Sequence, residues 1–63
     1  MTDNAPAVIS SASSTLDDLV ERVRVLADEF AAAEHEAVSE ELYAAERALS
    51  TARRALARAL AAM

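Results

Sequence analysis

His35 is the first residue to invite a chemical reading, because it is the single histidine of the 63-residue chain and stands between two acids in Glu34-His35-Glu36. Helical metal sites place Glu-x-x-His on one face, and zinc hydrolases place two His four apart around a Glu. Position 32 is Ala and position 39 is Ser, so neither spacing is met. Glu36 and Glu40 share a face only if one helix runs through both. The reading is a solvated His at a turn, with no metal, no cofactor and no nucleophile or orienting acid to make it a catalytic base. The paired acids Asp17-Asp18 and Glu40-Glu41 are adjacent, which points them to different sides of a helix. They solubilise and cap rather than form an acid/base pair.

Arg53, Arg54 and Arg58 form the one basic cluster. No aromatic residue is interleaved with them, and the sequence pI is about 4.6, so the footprint of a nucleic-acid binder is missing. The stretch from Arg53 to Met63 also lacks the Trp or Phe that an interfacial membrane helix inserts. Phe30 and Tyr43 are the only aromatics, and a chain reversal between them predicts that they pack as a pair; the alternative reading makes Tyr43 an exposed hot spot for a partner. None of these residues makes an enzyme, and the expected activity is binding.

The elements that must position these residues are read from periodicity. Residues 1–14 hold the single Pro, a run of four Ser broken by Ala12, and few large apolar groups, so they are expected to be a disordered tail. Removing residues 1–12 should accordingly leave the helix content nearly intact. From Thr15 onward there is neither Gly nor Pro. Ser14 or Thr15 is a plausible N-cap, with Asp17 and Asp18 in the first turn. Leu16, Val23 and Phe30 alternate with Leu19, Leu26 and Ala33 as the two seam lines of a heptad. A second repeat runs through Leu42, Leu49, Leu56 and Met63, with Ala45, Ala52 and Ala59 as its companion line.

These repeats are out of phase, and a four-residue stutter would put Glu41 in the core. The fold class expected is therefore all-α: an antiparallel two-helix hairpin with helices at about 15–36 and 39–62, Ser39 capping the second. With no helix breaker between Ala31 and Val38, a continuous rod stays open as the alternative. Charge favours the hairpin. All 11 acids lie within residues 1–46, whereas residues 47–63 carry four Arg and no acid. A turn near residue 37 or 38 would set Arg58 beside Asp17, Arg54 beside Glu21 and Arg47 beside Asp28.

Seventeen of the apolar residues are Ala, each adding little area, and a chain this short rarely closes a sufficient core alone. There is no Cys to add a disulfide or a thiolate metal site. The remedy expected is self-association into a dimeric four-helix bundle through Leu42, Ala45, Leu49, Ala52, Leu56, Ala59, Leu60 and Met63. The functional expectation is a scaffold or adaptor. The alternative is a small accessory or regulatory subunit that folds against a larger enzyme or toxin. An acid near the N-terminus and the absence of a long apolar run argue against a secretory signal or a membrane span, making the cytoplasm the expected location.

The two-helix layout, with Ser39-Glu40-Glu41-Leu42 opening the second helix and Glu46-Arg47 a turn later, loosely resembles the small subunit of exodeoxyribonuclease VII over about residues 16–60. It departs at the turn, where that family has Gly-Asp and this chain has His35 to Ser39. No residue role is carried across.

Overall fold

A computed structural model describes residues 4–63. Two helices, α1 (Ala5–Ala32) and α2 (Glu36–Ala61), pack against each other as an antiparallel hairpin. The rod measures 48 × 15 × 15 Å. Its accessible surface is 4530 Å², against about 3,900 Å² for a compact monomer of this mass. A one-layer rod of two helices buries little, and Val20 and Ala27 are the only buried hydrophobic residues among those described.

The first helix begins ten residues before the expected start. Residues 5–14 are helical, which corrects the reading of a disordered tail over this stretch; the part of that reading on residues 1–3 lies outside the described residues. Pro6 sits in the first turn, where its missing N–H costs nothing and its fixed φ suits a helix. Ile9 and Ser13 are partly buried and continue the contact stripe that begins, on periodicity, at Leu16. Thr15 is no cap: its hydroxyl donates to the carbonyl of Ser11, one turn back, at 3.1 Å.

The reversal occupies Ala33 to His35, a few residues before the turn expected near residue 37 or 38. Glu34 takes a left-handed conformation at φ 64°. The His35 amide donates to the Phe30 carbonyl at 2.9 Å and the Glu34 amide to the Ala31 carbonyl at 3.0 Å, which together make a Schellman helix end. The apolar contact that accompanies this motif is supplied by Phe30 and His35, whose ring centroids are 5.8 Å apart in an edge-on arrangement. Glu thus stands where Gly is the usual choice. Ser39 is not a cap either. It lies inside α2, buried, with its hydroxyl donating to the Glu36 carbonyl at 3.0 Å.

The earlier reversal shifts the register. Arg53, not Arg58, reaches Asp17, at 3.2 Å. Glu21 pairs within its own helix with Arg24, and Asp28 accepts a hydrogen bond from Tyr43 in place of an ion pair with Arg47.

Candidate functional site

On α1 the residues turned toward the partner helix are Ile9, Ser13, Leu16, Val20, Val23, Ala27 and Phe30, all partly or fully buried at steps of three and four. On α2 they are Ser39, Leu42, Glu46, Leu49, Arg53, Leu56 and Leu60. The lines Leu16/Val23/Phe30 and Leu42/Leu49/Leu56 therefore lie in the seam as the periodicity indicated. Their companions differ. Leu26 and Ala33 are exposed and Leu19 only partly buried, whereas Val20 and Ala27 are the buried pair; on α2, Ala45, Ala52 and Ala59 are exposed while Glu46 and Arg53 are partly buried. Relative to the expected faces, α1 is rotated so that Val20 and Ala27 replace Leu19 and Leu26 in the seam, and α2 so that Glu46 and Arg53 take seam positions while the Ala line turns out.

Because the helices run antiparallel, corresponding flanks of the two seams share one side of the rod. One side is polar and internally connected. Arg53 donates to Asp17, Tyr43 to Asp28, and Arg24 to both carboxylate oxygens of Glu21. The hydrogen bond to Asp28 raises the Tyr43 hydroxyl pKa above its ordinary value, with desolvation and the negative charges of Asp28 and Glu46 acting the same way. The bond that Arg24 donates to Glu21, with the carboxylate's charge, likewise raises the Arg24 pKa. Tyr43 is thus engaged with Asp28 on this side, and the aromatic neighbour of Phe30 is His35.

On the opposite side, among the described residues, no side-chain bond links the two helices, and Arg22 at its rim pairs within α1 with Asp18 at 3.5 Å. The register set by the Asp17–Arg53 and Asp28–Tyr43 contacts puts Leu19 level with Ala52 and Leu26 with Ala45. A shallow open groove runs along α1 between Leu19, Val23 and Leu26, rimmed by Arg22 and Glu29, and continues past Phe30 and Ala33 to His35. Val25 and Val38 are nearly half exposed and Leu26 is 42% exposed. On α2 the same side is Ala45, Ala48, Ala52, Ala55, Ala59 and Ala62, all exposed. Small residues of this kind let a further helix approach closely.

Of the residues read from sequence as an association surface, Leu42, Leu49, Leu56 and Leu60 are partly buried within the hairpin, while Ala45, Ala52, Ala59 and Met63 face out. Leu19 and Leu26, assigned from sequence to the intramolecular core, join the outward side. The signal that could have revealed this is charge: Arg53 and Glu46 are long enough to keep their charged ends wet at a seam edge, so their positions do not exclude them from it.

Among the described residues no three His, Cys, Asp or Glu side chains gather as a metal site, and no buried side-chain polar atom lacks a partner. No described helix is long and apolar enough to cross a membrane. Compared with protein-family models, with curated proteins and with solved structures, the chain matches none, so the layout shared with the exodeoxyribonuclease VII small subunit carries no further weight.

Proposed function

We propose that the chain is a non-enzymatic interaction module, a cytoplasmic scaffold or adaptor that self-associates through its outward Leu/Ala side into a four-helix bundle. The observation that carries this reading is the apolar side itself: Leu19 and Leu26 stand level with an unbroken Ala surface, while charged residues occupy the intramolecular seam. For an isolated hairpin that rotation leaves Leu26 and part of Leu19 in solvent. In a bundle those residues become the core, and Arg53 and Glu46 lie at its edge. The side measures roughly 48 by 15 Å, or about 700 Å², near the ~800 Å² that each partner contributes to an interface of standard size.

Light-scattering mass over a concentration series, with circular dichroism on the same samples, tests the reading. A helical particle of twice the 6.7 kDa chain mass is expected. A single-chain mass throughout contradicts self-association, and would assign the apolar side to a larger protein against which the chain completes its fold.

A further inference from the structure

Two helical hairpins can pair through one side in two symmetric ways. With the two-fold axis along the rod, the turns lie together and α1 packs on the partner's α2. With the axis across the rod, the turn of one copy lies against the open end of the other, and like helices pack together. We propose the second arrangement, a head-to-tail pair whose two-fold axis crosses the rod near Leu19 and Ala52. The inference rests on the self-association proposed above and specifies its geometry.

Charge discriminates between the two. The turn half of the rod, from Val20 to Thr51, carries eight acids and three Arg, whereas the rest of the chain, residues 1–19 and 52–63, carries three acids and three Arg. The side-chain charges are therefore −5 and 0, with His35 neutral. Turn-to-turn pairing stacks −5 on −5 over the same half of the bundle. Head-to-tail pairing sets each acidic half against a neutral one, which relieves like-charge repulsion and favours that register.

Side-chain size permits this arrangement as it does the turn-to-turn one, in which Leu19 would face the partner's Ala52 and Leu26 its Ala45. Along the outward flank of α1 the residues are Ala5, Ala12, Leu19, Leu26 and Ala33. Reversed about Leu19, this row sets each Leu26 against the partner's Ala12 and each Ala33 against its Ala5. On α2 the row Ala45, Ala52, Ala59 reversed about Ala52 is small against small, allowing close approach. The exposed ends are covered at the same time. Val38, in the first turn of α2, and Met63, two residues beyond its last turn, are 44% and 65% exposed, and reversal brings each within about one helical turn of the other's level.

The chain contains no Cys, so single introduced thiols report the geometry directly. Leu19→Cys and Ala52→Cys chains are mixed, allowed to exchange, and mildly oxidised, and mass spectrometry identifies the linked pairs. Head-to-tail pairing predicts 19–19 and 52–52 links at more than tenfold excess over 19–52, because the two unlike positions sit on diagonal helices beyond the ~7 Å Cα reach of a disulfide. Predominant 19–52 links overturn the orientation and leave self-association standing, as the turn-to-turn arrangement requires. A dimeric mass with no links overturns the assigned side. A monomeric mass removes the self-association on which the inference rests. Should Leu19→Cys lose helicity, Val38→Cys mixed with Met63→Cys serves at two exposed positions: a 38–63 link is expected, and its absence from a dimeric sample contradicts the proposal.

Discussion

Glu34 holds the chain reversal in a conformation that its side chain disfavours. A β-carbon in the left-handed region costs roughly 1–2 kcal/mol, and Gly avoids the cost while adding freedom to the unfolded chain. Glu34→Gly is therefore expected to raise stability by about 0.5–1 kcal/mol, read as a higher thermal midpoint; a lower midpoint would contradict the Schellman end at this residue. Tyr43 offers a second test at the same scale. Its folded-state pKa is raised, chiefly by the bond to Asp28. The stabilisation linked to it is complete below the unfolded tyrosine value near 10 and is lost as pH rises through the higher folded value. In Asp28→Ala the phenol should ionise at lower pH than in the parent, measured by ultraviolet titration. An unchanged titration would mean that Tyr43 does not reach across to α1.

At the scale of elements, much was legible. The out-of-phase repeats announce two helices, and the Leu16/Val23/Phe30 and Leu42/Leu49/Leu56 lines lie in the seam as their spacing indicates. The reversal was misplaced by a few residues because its signal is geometric: nothing in Glu34 as a residue type marks a left-handed helix end, and Ser39 offers a cap that the chain does not use. The start of α1 was missed because Ser and Ala are weak periodicity markers. Ile9 and Ser13 nevertheless lie on the contact face, where packing against α2 overrides their local preference. Removing residues 1–12 deletes Ala5–Ala12, more than two turns of α1. Both the helical ellipticity per molecule and the thermal midpoint should fall, and preservation of both would place the true helix start near Thr15.

For the whole molecule, the choice of seam separates residues that hold the hairpin from residues that face outward. Leu49 is partly buried between the helices, so Leu49→Glu puts a charge into the hairpin's own contact and should abolish most helicity together with any association. Ala52 is exposed, so Ala52→Glu should keep the helical signal and weaken association at least tenfold in sedimentation equilibrium. Equal loss of helicity in both variants would mean that the Ala line, not the Glu46/Arg53 line, faces α1. Sequence periodicity could not make this distinction, since it ranks Ala above Arg for a core position. A seam only two helices wide leaves its edges wet enough for long charged side chains.

If a second copy covers the apolar side of the hairpin, as proposed, the thermal midpoint depends on concentration. A dimer that dissociates as it unfolds has a midpoint that rises with protein concentration. A steady rise is expected over a hundredfold concentration series, with lower midpoints throughout in Ala52→Glu. A midpoint independent of concentration, with the helical signal intact, would contradict the proposal.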